Sequence, residues 1–296
     1  MPRACPHIGA SLASGRIIEG TLQCPFHHWR FDTTGACVQI PGSPHIPAAA
    51  SRAAYPTVER YGYVWVWYGS SEPMFPLPEL PALDSADKRF RRFRFADTTA
   101  ATVRRIMEST YDPGRLVERH GLDVAEPPSL RMLDPQDFPP EAGSPIPTDA
   151  WLGAQLERPQ YAGRPATSTK LLGTKLLGTN AGRVVLRVDG WPAGQRITCY
   201  ADGVPQYRLL LAVTPVDANR TVAHIAVAVE RTGRFWRDLL HFLVNRVEVN
   251  VASNQILPIF DTIRPGDHDG ICVDGDHGVL TFRAYYQSWV DRVAAS

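Results

Sequence analysis

Two short blocks near the start constrain this chain more than any other feature. They are Cys5-Pro6-His7 and Cys24-Pro25-Phe26-His27, a C-x-H and a C-x-x-H with sixteen residues between them. Two thiolates and two imidazoles make a four-ligand set suited to iron or zinc. A proline after each cysteine suggests two loop tips placed face to face. The competing readings are a four-ligand zinc site, or cysteines and histidines that simply pack in a core. Zinc fingers lack this spacing.

Composition narrows the classes further. Thirty-one lysines and arginines against 30 aspartates and glutamates leave a formal charge of +1, which argues against a nucleic-acid binder driven by phosphate contacts. No apolar run reaches the length of a membrane span, and Met1–Cys5 opens no signal-peptide core. Five cysteines, an odd number at unequal spacing, fit a reducing, cytoplasmic setting better than a disulfide framework.

The 296 residues allow two domains. Strand-like pieces occur at Arg16–Ile18, Thr21–Gln23 and Cys37–Ile40, and Pro41-Gly42-Ser43-Pro44 is a turn signal. The aromatic and β-branched run from Tyr61 to Gly69 reads as a buried strand, with Trp65 and Trp67 in the core. Prolines 73, 76, 78 and 81 mark an extended crossing, so a small module over 1–72 is expected to precede a larger domain over 73–296. In the latter, helical spacing over 99–119 (Val103, Ile106, Met107, Tyr111, Leu116) is interrupted at Pro113-Gly114. The proline-rich stretch 121–166 is expected to wrap the surface. Arg183–Val188, Gln195–Cys199, Tyr207–Val213 and Thr221–Val229 read as an antiparallel sheet. Helical period returns over 233–260 through Trp236, Leu239, Leu240, Leu243, Val244 and Val247, and Gly278–Tyr286 reads as a last strand. The expected class is α+β: a small all-β module, then an antiparallel sheet with helices. Cys37, Cys199 and Cys272 are expected as buried thiols. His224 and His241 read as packed or surface residues, and His268 and His277 as turn residues.

Through Cys5-Pro6-His7-Ile8-Gly9-Ala10-Ser11-Leu12, Gly15, Gly20, the run from Cys24 to Asp32, Gly35 and Ile40-Pro41, the chain resembles the Rieske non-heme iron oxygenases of the single-subunit α type. The resemblance continues through Gly62–Trp67, Glu108–His120, Thr214-Pro215 and Phe282-Arg283. It implies a [2Fe–2S] cluster with Cys5 and Cys24 on one iron and His7 and His27 on the other. Neutral imidazole in place of thiolate raises the potential, which suits an electron relay. It also implies a helix-grip-like second domain and O₂-dependent hydroxylation or demethylation of an apolar ring compound. Electrons would come from a ferredoxin or flavin reductase, within a homotrimer or a hetero-oligomer. His28 stands where the family often has glycine and reads as a neighbour of the ligands.

The second metal site departs from the family pattern. A mononuclear iron there needs two histidines and a carboxylate. In the D-x-x-H-x-x-x-x-H pattern this chain supplies Asp112 and His120, but Arg115 holds the first histidine position. A guanidinium stays protonated and offers no lone pair. The carboxylate of Gln-Asp-x-x-Ile is replaced by Ile256 in Gln255-Ile256-Leu257-Pro258-Ile259. Mononuclear Fe(II) is therefore in doubt, with Asn254, Gln255, Asp261 or Asp112 as conceivable substitutes. Asp112 is read as an electron bridge to a cluster histidine. The chain is expected to be the cluster-bearing subunit beside a catalytic homologue. The alternatives are a self-sufficient oxygenase with atypical ligands and a non-catalytic scaffold. Only four residues precede Cys5, where the family places several strands, so a sheet edge is expected to be open or covered by a partner, unless the start is trimmed or misassigned.

Overall fold

Tight hairpins shape the first part of the chain because its turns hold residues at positive φ. A computed structural model describes residues 1–114, 128–136, 147–158, 183–192, 194–263 and 270–296. It divides into two units, Met1–Met74 and Phe75–Ala295. In the first, β1 (Arg16–Ile18), β2 (Thr21–Gln23), β3 (Arg30–Phe31) and β4 (Cys37–Gln39) form one antiparallel sheet in that order. Glu19 (φ 49°) and Gly20 (φ 76°) close β1 onto β2, the two-residue turn whose twist matches paired strands. Leu12, Phe31, Cys37 and Ala50 pack with Cys5 and Cys24 into a small core.

The aromatic run forms a two-stranded ribbon, β5 (Thr57–Arg60) with β6 (Tyr63–Val66), rather than a buried strand. Val64 and Val66 are exposed, and Trp65 and Trp67 are half-buried. Alternation puts the valines on the outward face of the pleat, so hydrophobic content alone misjudged the burial.

The second unit is a seven-stranded antiparallel sheet backed by helices. Its strands are β7 (Phe90–Thr99), β8 (Ser129–Leu133), β9 (Leu152–Arg158), β10 (Val184–Trp191), β11 (Gly194–Ala201), β12 (Val204–Asp217) and β13 (Arg220–Glu230). They lie in the order β7-β13-β12-β11-β10-β9-β8. The strands β11, β12 and β13 contain three of those read from the sequence and extend them, and β10 covers the fourth except Arg183, which precedes it. β7, β8 and β9 went unread, and β8 and β9 lie inside the proline-rich stretch expected to wrap the surface. Short β segments between prolines carry too little period to stand out.

One sheet face presents Phe93, Ile225, Val227, Leu211, Val188, Ala154 and Leu156 to the helices. The helix expected over 99–119 is shorter: α1 spans Val103–Glu108, with Thr102 accepting from the Arg105 N–H at its start, and one 3-10 turn follows over Ser109–Tyr111. Thr99 still belongs to β7, and Leu116 lies outside the described residues.

Helix α2 (Phe235–Thr262) begins where the Asp238 carboxylate accepts from the Thr232 and Gly233 N–H groups. Its buried face is Val244, Val249 and Phe260, with Phe242, Ile256 and Leu257 half-buried. Trp236, Leu243 and Val247, which share the helical period, are exposed. Periodicity finds a helix but does not say which apolar edge the sheet covers.

Gly278–Tyr286 is helical, not a strand, as part of α3 (His277–Ala294). Gly278, Phe282 and Trp289 are buried, and Tyr285 is half-buried beside them. Their three- and four-residue steps outweigh the β-like aromatic content. Gly278 admits no side chain, because a Cβ would sit 2.4 Å from a Leu130 methyl group and 2.5 Å from the Tyr111 carbonyl. Among the described residues no helix is long and apolar enough to cross a membrane.

Candidate metal centre

The two blocks fold into the same loop twice. In the first, the Cys5 N–H donates to the Ala10 carbonyl (2.8 Å) and the Cys5 carbonyl accepts from the Gly9 N–H (3.0 Å). In the second, the Cys24 N–H donates to the Trp29 carbonyl (2.8 Å) and the Cys24 carbonyl accepts from the His28 N–H (3.2 Å). Each loop thus closes at its cysteine by bonds to residues four and five positions on. The fifth residue of each takes a left-handed conformation, Gly9 at φ 83° and His28 at φ 59°.

This geometry explains why glycine suits the His28 position: a Cβ there is penalised by its own backbone. Histidine is among the residues that tolerate it, whereas a β-branched side chain is not. His28→Val should therefore cost about 1–2 kcal/mol and lower cluster content, while His28→Gly keeps both. Chemical denaturation and iron analysis of the two variants read the difference.

Cys5 and Cys24 are each 2% exposed, while His7 and His27 reach the surface. The two imidazole rings lie 4.6 Å apart at 60°, and His7 stacks on Trp29 at 4.6 Å and 9°. Phe26 packs on His27 at 4.2 Å. Burial pushes the Cys5 thiol above its ordinary pKa; its bond to the His7 N–H opposes that rise and the adjoining Cys24 thiol adds to it. Among the described residues no three His, Cys, Asp or Glu side chains close on one point as a single ion would require. The donor set divides instead into an inner thiol pair and an outer imidazole pair. That is the chemistry a two-iron cluster with unlike ends requires.

The second unit offers no such set among its described residues. Asp112 follows the 3-10 turn, and its Oδ1 accepts from the Gly114 N–H (2.8 Å), a local turn contact. Tyr111 just before it is fully buried: its hydroxyl donates to the Leu152 carbonyl (3.1 Å) and its ring stacks on Phe282 at 5.1 Å. Ile256 is half-buried against the core. Asp261 is engaged elsewhere, its Oδ1 accepting from Thr99 Oγ1 (2.7 Å) and the Ala100 N–H (2.8 Å). Arg115 and His120 lie outside the described residues, as does His268. Cys37 and Cys199 are buried, but Cys272 is exposed rather than packed, in an irregular segment before α3 whose neighbours Ile271 and Val273 are exposed as well. His241 Nε2 donates to Gln206 Oε1 (3.1 Å), and burial lowers its pKa.

The bonds from Thr99 and Ala100 hold the Asp261 carboxyl below its ordinary pKa. A lowered folded-state value stabilises the fold above the unfolded carboxylate range, and that contribution is lost as pH falls through the folded value. Asp261→Ala should cost about 1 kcal/mol at neutral pH, since the site is exposed and screened. Urea denaturation of variant and wild type should converge in acid.

Comparison with known proteins agrees with this geometry. The family model for the Rieske [2Fe-2S] domain matches residues 1–52. The chain is 37% identical over 307 aligned positions to aminopyrrolnitrin oxygenase PrnD of Pseudomonas fluorescens, covering all of this chain and 82% of that protein. Its fold is similar to NdmA of Pseudomonas putida CBB5 with caffeine (TM-score 0.66, 21% identity, 96% of this chain and 76% of that one). It is also similar to dicamba monooxygenase bound to dicamba (TM-score 0.62, 17% identity, 99% and 86%). The chain belongs to the Rieske non-heme iron oxygenases, as an α-type subunit. Its cofactor is a [2Fe–2S] cluster, its chemistry is O₂-dependent oxidation fed through that cluster, and it works with an electron-transfer partner.

Proposed function

We infer that Cys5, His7, Cys24 and His27 are the cluster ligands, and that this chain is the cluster-bearing relay in hydroxylation or demethylation of an apolar ring compound. The observation that carries this reading is the repeated loop, with both cysteines buried and both histidines at the surface. When bound, the cluster supplies one-electron transfer at a potential raised by imidazole ligation. The protein's part is to hold the thiols out of water and present the imidazole edges outward, where an electron partner can approach. Stacking on Trp29 fixes the His7 ring plane, so the imidazole need not be ordered when metal arrives.

Catalysis is assigned to a homologous subunit in a trimer or mixed oligomer, with Asp112 as an electron bridge and a ferredoxin or flavin reductase as donor. Arg115 and Ile256 support that division, since neither residue can ligate iron. The substrate class rests on the ring compounds named for the relatives: aminopyrrolnitrin, caffeine and dicamba. Metal analysis of anaerobically purified protein tests the ligand reading. Two irons and two acid-labile sulfides per chain are expected, and zinc in their place ends it.

A further inference from the structure

The face of the seven-stranded sheet turned away from the helices holds a pocket that the metal centre does not use. Val227 and Val229 of β13 and Leu211 of β12 pack on the helix side, so alternation sends Glu230, Arg208 and Leu210 to the other. The register brings these close together. Glu230 lies opposite Phe90 of β7, Arg208 opposite Ala228, and Leu210 opposite Arg196 of β11. A 3-10 turn over Pro81–Leu83 roofs this corner. Arg92 ties the roof to the sheet, its Nε donating to the Ala82 carbonyl (2.7 Å) and its Nη2 to the Asp87 carbonyl (2.6 Å). The cavity beneath has a volume of about 300 Å³. Its walls include the buried side chains of Leu80, Leu83, Phe90 and Leu210, and Arg196 and Arg208 reach into the lining.

Positive charge gathers on this corner. Three guanidiniums stand over the one Phe90 ring, with Cζ at 5.3 Å (Arg208), 5.6 Å (Arg89) and 5.9 Å (Arg92) from its centroid. Arg89 is held by Asp87 (2.7 Å), and Arg196 by Asp189 (2.7 Å), a carboxylate that Arg187 shares (3.1 Å). Arg92 spends its donors on backbone carbonyls. Arg208 meets Glu230 only at 3.5 Å, the outer limit of a hydrogen bond. Both partners of that last pair are half-buried, whereas Asp189 is fully enclosed. Of the three pairs, it is the one that an arriving carboxylate can open at least cost.

We propose that this pocket binds a compact organic monocarboxylate, its apolar body against Leu80, Leu83 and Leu210 and its carboxylate received by Arg208 in place of Glu230. A cavity of about 300 Å³ lies at the small end of ligand sites and suits one or two fused rings. Leucine and phenylalanine walls favour a hydrocarbon body over a sugar or a phosphate. A guanidinium fork matches a carboxylate in two parallel hydrogen bonds. The site shares no residue with the metal centre and lies across the sheet from Ile256 and Tyr111, so its failure and that of the cluster reading are separate results.

Isothermal titration of the cluster-loaded chain with 2-naphthoate tests this, with uncharged 2-naphthalenemethanol as the control. Wild type should bind one naphthoate per chain, and naphthoate should raise its unfolding temperature. Arg208→Gln should weaken binding about tenfold or more, the effect of a lost charge-assisted bond. Glu230→Gln removes the competing carboxylate and should tighten binding about threefold. If Arg208→Gln does not fold, the half-exposed Glu230→Gln decides: tighter binding supports the proposal, and unchanged or weaker binding contradicts it. No binding of naphthoate to wild type overturns it. So does naphthoate binding that both variants leave unchanged, which would place the ligand elsewhere on the chain, or equal binding of the uncharged control.

Discussion

His27→Ala protein is expected to lose the EPR signal of the reduced cluster, with cluster content falling more than about tenfold. The reason is geometric as well as chemical. His27 stands at the exposed end of a loop whose base is fixed by Cys24, and the adjacent His28 is exposed but held at φ 59° by the loop's own closure. Replacing the ligand thus cannot be answered by a small shift of its neighbour. Cys24→Ser should be at least as damaging, since the inner thiol is buried where no water can substitute. A His27→Ala protein with undiminished signal would remove this loop from the centre.

The second large effect concerns the other metal. The chain alone, even with a competent reductase, is expected to hold no iron beyond the cluster and to show no substrate-dependent O₂ uptake. Three donors covering one face are what retain a labile ferrous ion. Here one expected position is a guanidinium, another is Ile256 packed half-buried on α2, and Asp261 is taken up by Thr99 and Ala100. Combining Arg115→His with Ile256→Asp should raise iron stoichiometry toward one more per chain. Mixing wild type with a catalytic homologue should restore O₂ uptake. A third iron in the unmodified chain, with coupled O₂ consumption, contradicts this account and makes Asp112 the first residue to examine.

The two Cys/His blocks were the most legible part of the sequence, because the residue types and spacing that mark a Rieske [2Fe-2S] domain are local and need no knowledge of the fold. The repeated loop conformation was half-legible. A glycine at position 9 and a histidine at 28 do not look alike, although both lie four residues after a cysteine. The strands from β10 to β13 were legible because they are long and alternate. The strands β8 and β9 were hidden among prolines, and α3 was mistaken for a strand because Tyr285, Tyr286 and Phe282 have β-forming side chains at helical spacing. Trp236 shows another limit: its 77% exposure depends on which edge of α2 meets the sheet, and no local pattern records that. Asp261 could not have been placed from sequence either, since its partner Thr99 is 162 residues away.

The ligand assignment is tested most directly by the Mössbauer spectrum of wild-type protein loaded with ⁵⁷Fe in the oxidised state. Two irons in unlike ligand sets, one with the buried thiols and one with the exposed imidazoles, should give two quadrupole doublets of equal area, and His27→Ala should abolish the pair. A single doublet from equivalent irons, or zinc in place of iron, would contradict the two-cysteine, two-histidine centre.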